Sequence, residues 1–179
     1  MSILAKALLI VAALGLAACN NPNRYGTGTG TGNPGANGSG GTASGVDTTG
    51  LGDPSNPASV AYFNQTVGDR VLFVVDQSTL TEAARATLGG QAQWLTANPD
   101  YAVIIEGHAD EQGTREYNIA LGARRADSVK NFLISQGVSG NRMQTVSYGK
   151  ERPIAVCSEE SCYAQNRRAV TVLSMGAGA

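Results

Sequence analysis

The sequence lacks an excess of basic residues: 13 lysines and arginines are balanced by 14 aspartates and glutamates, for a formal net charge of −1. A nucleic-acid-binding protein would normally carry a basic excess, so that class is disfavoured. Aromatic residues are scarce, at 6% of the chain, whereas glycine is abundant, with 23 residues. This composition in 179 residues predicts one ordinary domain together with segments that build no core.

The apolar run near the N-terminus, residues 7–18, is too short to span a bilayer comfortably and favours the h-region of a secretory signal. It ends in "LAAC" (16–19), which looks like a lipobox. We therefore expect residues 1–18 to be a lipoprotein signal peptide, cut before a lipid-modified Cys19; the alternative is an ordinary signal peptide with a chance cysteine. Asn20, in place of an aspartate, favours an outer-membrane location, where acyl chains would anchor the protein.

Residues 19–57 follow as the lipidated cysteine and a stretch dominated by Gly, Thr, Ser, Asn and Pro. Such a composition cannot bury apolar surface and is typical of a flexible tether. The "GTGTGTG" segment is a weak candidate for a phosphate-binding loop, because no strand precedes it and no Lys-Ser/Thr follows it. Hydrophobic periodicity returns near residue 60, so we place a folded domain over residues 58–176.

The periodicity of this domain predicts alternating strands and helices. We expect a strand at 71–75, central in its sheet because it lacks strict alternation, and the segment "VAYFNQTV" before it as a short edge strand or a lead-in. A helix capped by Ser78 or Thr79 and stopped at Pro99 comes next. The remaining elements are a strand at 101–105, a helix at 116–135, and strands at 143–149 and 169–175. The order β-α-β-α-β-β predicts an α+β sandwich with helices on one face of a mixed sheet.

Ionisable residues gather where the strand at 101–105 ends. Glu106, His108, Asp110 and Glu111 follow within six residues, in the stretch "IIEGHADEQGT". Polar groups in a loop held by a rigid strand are a common arrangement for a binding or catalytic site.

A family resemblance covers roughly residues 60–175 and is densest around this loop. The segments "EGHADEQGTREYNIALGARRADSVKNFL", "VSYGKERP" and "NRRAV" resemble the OmpA-like peptidoglycan-binding domain family. This resemblance implies non-covalent recognition of the meso-diaminopimelate side chain of the peptidoglycan stem peptide, whose free end carries an ammonium and a carboxylate. It implies no cofactor and no catalysis.

The resemblance also assigns residues to the site. Asp110 matches the family's loop aspartate, expected to accept the ammonium, and Arg125 matches the arginine expected to hold the carboxylate through its bidentate fork. Phe73 matches a phenylalanine near the pocket, although Val74 stands where the family usually has an aspartate. A purely internal salt bridge between Asp110 and Arg125 is the alternative interpretation of that pair.

Helical geometry adds two residues to the site. Asn118 and Arg125 are seven positions apart and therefore lie on one helix face, with Leu121 on the adjoining flank. Arg124 points elsewhere, towards solvent or Asp127.

Three other groups have simpler interpretations. A lone His108 beside acids does not make a metal site without further ligands, so we expect its side chain to support the loop by hydrogen bonding. The run Asn166-Arg167-Arg168 is favoured as a structural anchor over a direct contact. Cys157 and Cys162 are expected to form a local disulfide in the oxidising periplasm.

The lipid anchor, tether and single domain look like those of lipoproteins of the Tol–Pal system. This likeness implies TolB, and further TolA, as partners beside the cell wall, and a role in envelope integrity and cell division. Two alternatives remain open: an OmpA-like envelope lipoprotein outside the Tol system, and a wall-degrading enzyme that uses the acids and histidine of the 106–111 loop.

Overall fold

The structure is a computed structural model of the chain and describes residues 52–175. The expected signal peptide, the lipidation site Cys19 and most of the expected tether lie outside the described residues. Within residues 52–175, no helix combines the length and the apolar composition that crossing a bilayer requires.

The described part of the chain folds into four α-helices and four strands. The helices are α1 (Val60–Tyr62, continued as a π-helix over Phe63–Gly68), α2 (Glu82–Ala97), α3 (Arg115–Ser135) and α4 (Glu160–Asn166), with a 3-10 turn at Gly140–Arg142. The strands are β1 (Arg70–Leu72), β2 (Tyr101–His108), β3 (Met143–Gly149) and β4 (Arg168–Met175).

The strands form one mixed sheet in the order β1-β4-β2-β3. β4 pairs antiparallel with β1 and with β2, whereas β2 and β3 run parallel. The core joins one face of this sheet to α2 and α3, with Val103 and Ile105 of β2 packed among Leu88, Leu95 and the apolar side of α3. The predicted α+β arrangement, with helices packed on a mixed sheet, is confirmed.

Three details of the predicted element order are wrong. The first strand is shorter than predicted and lies at the edge of the sheet, because after Leu72 the chain turns away and leaves Val74 and Val75 exposed. Of the two alternatives for "VAYFNQTV", the edge strand is wrong, because the segment is a helical lead-in that Ser59 caps and whose Phe63 is completely buried. The loop before the last strand contains the short helix α4.

Local capping explains where the two long helices begin. Thr81 caps α2 by accepting the backbone N–H of Ala84 at 3.1 Å, so the cap lies two or three residues later than predicted. Thr114 does the same for α3, accepting from Tyr117 N–H at 3.2 Å. Each cap satisfies a backbone donor that the first helical turn leaves free.

Two glycines let α3 lie directly against the sheet. A Cβ on Gly107 of β2 would stand 1.8 Å from the carbonyl oxygen of Gly122 in α3. A Cβ on Gly122 would stand 2.4 Å from the Ser147 hydroxyl of β3. This close approach brings the first half of α3 alongside the loop that follows β2.

The N-terminal edge of the described region is fastened to the core. The Trp94 indole N–H donates to the carbonyl of Pro57 at 2.7 Å, and the Tyr101 hydroxyl donates to the carbonyl of Ala58 at 2.8 Å. Phe63, Trp94 and Tyr101 stack in series, with ring centroids 4.9 and 5.2 Å apart. Pro57, the last residue of the expected tether, is therefore bonded to the domain.

Candidate functional site

The loop after β2 is closed by a buried amide from α3. We call residues Ala109–Thr114 the site loop. The side-chain nitrogen of Asn118 donates to the carbonyl of Gln112 at 2.8 Å and to that of Asp110 at 3.3 Å. Gly113 adopts a φ of 88°, a left-handed conformation that glycine takes without a steric penalty. Asn118 therefore fixes the loop at the beginning of α3.

A cleft of about 240 Å³ lies between the site loop, the beginning of α3 and the segment after β1. Among the predicted site residues, Asp110, Asn118 and Leu121 line it, whereas Phe73 and Arg125 do not. Its lining is Val75, Asp76, Asp110, Gln112, Gly113, Tyr117, Asn118 and Leu121. The cleft thus combines apolar surface with two carboxylates, those of Asp76 and Asp110.

Asp76 and Tyr117 are cleft residues that the sequence did not reveal. The Tyr117 hydroxyl donates to the Asp76 carboxylate across the mouth of the cleft, and this bond raises the pKa of the tyrosine. Asp76 has a φ of 57°, uncommon for a residue with a Cβ and frequent where function imposes a conformation. The only signal in the sequence was the position of Asp76 two residues after Val74, where the family's aspartate is missing.

Arg125 is completely buried and holds three backbone carbonyls. Its Nε donates to Gln77 at 2.8 Å, Nη1 to His108 at 2.8 Å and Nη2 to Val74 at 3.2 Å. The guanidinium lies over the Phe73 ring, 5.2 Å from its centroid. Arg125 therefore ties the segment after β1 to the end of β2.

Burial lowers the pKa of Arg125 to about 10, although the negative charge of Asp110 works in the opposite direction. The residue stays cationic at neutral pH. Three of its five N–H groups serve the carbonyls, which leaves one hydrogen on each terminal nitrogen.

The ion-pair partner of Asp110 is Arg167 and not Arg125. The Oδ2 atom of Asp110 lies 3.2 Å from Arg167 Nη1, and both side chains are buried. Its Oδ1 atom accepts the backbone N–H of Gln112 at 3.3 Å. Within residues 52–175, no ion pair joins Asp110 to Arg125. The two side chains are close enough to interact electrostatically, but neither uses its hydrogen-bonding groups on the other.

Arg167 is shared between two carboxylates. Besides Asp110, it contacts Glu160 of α4 through both terminal nitrogens, and its Nε donates to the Phe73 carbonyl at 3.3 Å. Burial acts to lower the pKa of Arg167, but the hydrogen bonds to Glu160 and Asp110 outweigh it and raise the pKa overall. Arg167 thus makes the internal contacts expected of a structural anchor, and one of them is to the acid of the site loop.

Its neighbours Asn166 and Arg168 do act as anchors. Asn166 accepts the N–H of Ile154 at 2.9 Å and donates to the Ala155 carbonyl at 2.8 Å and to the Glu111 carboxylate at 2.5 Å. Arg168 donates to the Arg152 carbonyl at 3.1 Å. Both residues hold loops in place beside the site.

His108 does not support the loop through its side chain, contrary to expectation. The ring is 1% exposed, and neither nitrogen has a hydrogen-bond partner within residues 52–175. Glu106 Oε2 lies 3.6 Å from Nε2, too far for a good hydrogen bond. Burial, helped by the charges of Arg168 and Arg152, lowers the pKa of His108 to about 4. The support comes from its backbone carbonyl, which accepts from Arg125.

The other expected groups fall outside the cleft. Arg124 is exposed, and Glu106 is not among the cleft residues. Cys157 and Cys162 form a disulfide beside α4, with Cα atoms 5.8 Å apart. Within residues 52–175, no group of three His, Cys, Asp or Glu residues is placed to hold a metal ion.

Comparison with known proteins identifies relatives over this same region. The sequence model described as the OmpA family matches residues 72–167. A peptidoglycan-associated lipoprotein of Rhizobium meliloti is 56% identical over 135 residues, covering 74% of this chain and 76% of the relative. A protein of the same name from Agrobacterium fabrum is 57% identical over 124 residues, covering 69% of this chain and 70% of the relative.

Solved structures agree with the fold. The crystal structure of the peptidoglycan-associated lipoprotein from Burkholderia pseudomallei is similar with a TM-score of 0.61 and 38% identity, covering 69% of this chain and 98% of that one. The C-terminal domain of Helicobacter pylori MotB is similar with a TM-score of 0.57 over 61% of this chain and 86% of that one. At 22% identity, this second likeness concerns the fold alone.

Proposed function

Because the chain belongs to the OmpA family, we propose that its domain binds peptidoglycan non-covalently through the meso-diaminopimelate side chain of the stem peptide. Lipidated at Cys19, the protein would link the outer membrane to the cell wall as part of the Tol–Pal system in envelope integrity and cell division. The relatives named above are peptidoglycan-associated lipoproteins, and they are not named for an enzymatic activity.

The observation that carries this proposal is the cleft that places the Asp110 carboxylate beside Asn118, with Arg125 close by. A zwitterionic tip needs an anion and a cation a few ångströms apart. Asp110 supplies the anion, and Oδ1 has room for a further donor because it accepts a single backbone N–H. The ammonium would bind there, and each such charge-assisted contact contributes about 1.5–3 kcal/mol.

The cationic side of the site is Arg125. We assign the ligand's carboxylate to the hydrogens that remain on its terminal nitrogens. Since Arg125 is fully buried and is not among the cleft residues, this contact requires the cleft to open further towards Arg125 when the ligand binds. Because the same guanidinium holds three backbone carbonyls, it cannot swing away, and its charge is pre-organised before the ligand arrives. Asn118 and Leu121 complete the wall, and Phe73 supports Arg125 from below.

Co-sedimentation with purified sacculi tests this assignment, using the full chain in detergent. We expect Asp110→Ala to abolish sedimentation. The matched control is Asp127→Ala, which removes an exposed acid of α3 and should sediment like the wild type. Thermal melts of both variants separate lost binding from lost fold. Equal sedimentation of a folded Asp110→Ala variant and the control would refute the site.

Ligand competition identifies the group that is bound. A free stem tripeptide ending in meso-diaminopimelate should release the protein from sacculi, whereas the same tripeptide ending in lysine, which lacks the second carboxylate, should do so poorly. Equal release by both peptides would contradict a role for Arg125 in holding a carboxylate.

The Tol connection needs a separate test. We expect purified TolB to capture the full chain and to compete with sacculi, as partners with overlapping surfaces do. Absence of TolB binding, with sacculus binding intact, would favour an envelope lipoprotein outside the Tol system.

A further inference from the structure

The short helix α4 begins beside a disulfide. Cys162 lies in its first turns and is bonded to Cys157 in the loop before it. Glu160, the first residue of α4, is enclosed in the six-residue segment that the disulfide closes. The backbone that carries the Glu160 carboxylate is therefore fixed on both sides.

The other end of α4 holds the site loop. Asn166, the last residue of the helix, donates to the Glu111 carboxylate, and Arg167, directly after it, pairs with Asp110. Two adjacent side chains thus hold two adjacent acids. Arg167, the first residue after α4, contacts the carboxylate of Glu160, the first residue of the helix.

Glu160 affects the strength of the interaction between the Arg167 guanidinium and the Asp110 carboxylate. Arg167 divides its terminal nitrogens between the two carboxylates. Without the Glu160 carboxylate, the Arg167 guanidinium would interact with Asp110 alone. It would then compete more strongly with the ligand's ammonium for the Asp110 carboxylate. Keeping Glu160 in place therefore leaves Asp110 more available to a cationic ligand group.

Glu160 does not hold this position through burial. Its side chain is 67% exposed, and an exposed ion pair must overcome the entropy of holding its side chains in one geometry, a cost that rises if the backbone beneath them also moves. The helix has only seven residues, and its N-cap, Glu159, makes no capping bond through its side chain. Helices of this length are not stable alone in water. The disulfide is the covalent constraint at this end of α4.

We propose that Glu160 is a positioning residue for ligand binding, held by the Cys157–Cys162 disulfide, and that reduction of this disulfide weakens binding through Arg167 and Asp110. The proposal rests on the proposed function, because it concerns the affinity of the same cleft. A dithiol reductant supplies the chemistry. It transfers two electrons to the Sγ–Sγ bond, which breaks; each sulfur gains a proton, and the two thiols of the reductant join as a disulfide.

The test measures the dissociation constant of the diaminopimelate stem tripeptide for the full chain in detergent. Glu160→Gln and the double variant Cys157→Ser/Cys162→Ser should each weaken binding by roughly threefold to tenfold. Treating the wild type with dithiothreitol should reproduce the double variant. Glu159→Gln, which neutralises the neighbouring exposed acid, is the matched control and should bind like the wild type. Circular dichroism establishes that each variant is folded.

Two further measurements distinguish a positioning role of Glu160 from a merely structural role. Glu160→Asp, which keeps the charge, should recover part of the affinity that Glu160→Gln loses. Adding Glu160→Gln to the double cysteine variant should cost little more, because both changes act through one path. Unchanged affinity in the folded Glu160→Gln and double cysteine variants, or full additivity, would overturn the inference. A wild-type protein that binds no tripeptide would instead overturn the proposed function.

Discussion

Asp110 and Arg167 form a buried ion pair at 3.2 Å that joins the site loop to the residue before β4. The two residues are 57 positions apart, and they meet because β2 and β4 are neighbours in the sheet. The acid of the candidate site is therefore held by the last strand, while α3 supplies the arginine that braces the surrounding backbone.

Arg167→Gln should destabilise the fold, because it leaves the buried Asp110 carboxylate without its cation. Removing one partner of a buried pair costs about 3–5 kcal/mol. Urea unfolding of the wild type and the variant measures the loss. The control is Arg115→Gln, which breaks the exposed Arg115–Glu151 pair and should change the free energy of unfolding by less than about 1 kcal/mol. Similar losses in both variants would contradict the importance of burial.

Arg125→Lys should also destabilise the fold, although it preserves the charge. An ammonium cannot reach three carbonyls that are spread around a planar guanidinium, and each buried acceptor left without a partner costs about 1–3 kcal/mol. We expect a total loss of about 3–5 kcal/mol in urea unfolding. Arg124→Lys, at the exposed neighbouring position, should stay within about 0.5 kcal/mol of the wild type. A well-tolerated Arg125→Lys would show that the carbonyl contacts carry little energy.

Gly107→Ala should prevent normal folding, because the new methyl group would stand 1.8 Å from the Gly122 carbonyl oxygen, a backbone atom. α3 would have to move off the sheet, and the Asn118 bonds to the site loop would be lost with it. Gly89→Ala is the control, since nothing lies within 4 Å of its Cβ position in α2. This second variant should gain about 0.5–1 kcal/mol from the higher helix propensity of alanine. Circular dichroism and thermal unfolding distinguish the two outcomes.

The buried His108 should make stability fall with acidification. Its pKa is about 4 in the fold, against 6.5 without perturbation. Between these values the unfolded chain binds a proton and the folded chain does not, so stability is lost as pH falls from 6.5 towards 4. The full loss is about 3 kcal/mol.

His108→Gln removes this titration and isolates it from the carboxylates that also titrate in acid. The free energy of unfolding of the variant, relative to the wild type, should rise by about 3 kcal/mol between about pH 7.5 and about pH 4. The nearby charges of Glu106, Arg152 and Arg168 are present in both proteins. A difference that does not vary with pH would show that folding does not lower the pKa of His108.

The sequence predicted the elements whose own periodicity identifies them. α2, α3, β2, β3 and β4 are long enough to show a regular apolar pattern, and α3, β3 and β4 lie within one residue of their predicted bounds. β2 continues three residues further than predicted, to His108, so Glu106 and His108 belong to the strand and not to the loop after it. The short elements were missed because distant contacts decide them. Phe63 makes the first segment helical by burying its ring against Trp94, and the disulfide closes the segment where α4 begins. The contact between Phe63 and Trp94 has no local signal in the sequence, whereas the disulfide was expected from its two cysteines but the helix that begins beside it was not.

The candidate site divides in the same way. Asp110, Asn118 and Leu121 lie within twelve consecutive residues of a recognisable pattern, and the structure brings them to one cleft. The roles of Arg167 and Asp76 depend on which strands are neighbours and on where the chain leaves β1, and a sequence without its sheet order does not specify these relationships. The pattern also identified Arg125 as a site residue, but it did not predict the three backbone carbonyls that the guanidinium holds.

The fastening of Pro57 and Ala58 to Trp94 and Tyr101 has a mechanical consequence. A force applied from the N-terminal side reaches the domain at the start of β2, where Tyr101 lies. The site loop lies at the other end of that strand, roughly 25 Å away. If the chain is anchored and bound as proposed, the resulting tension would run lengthwise along the covalent backbone of β2 and not across its hydrogen bonds to β3 and β4, so it would not peel those bonds open one at a time. The strand that presents the loop is thus also the part of the domain best placed to bear the strain.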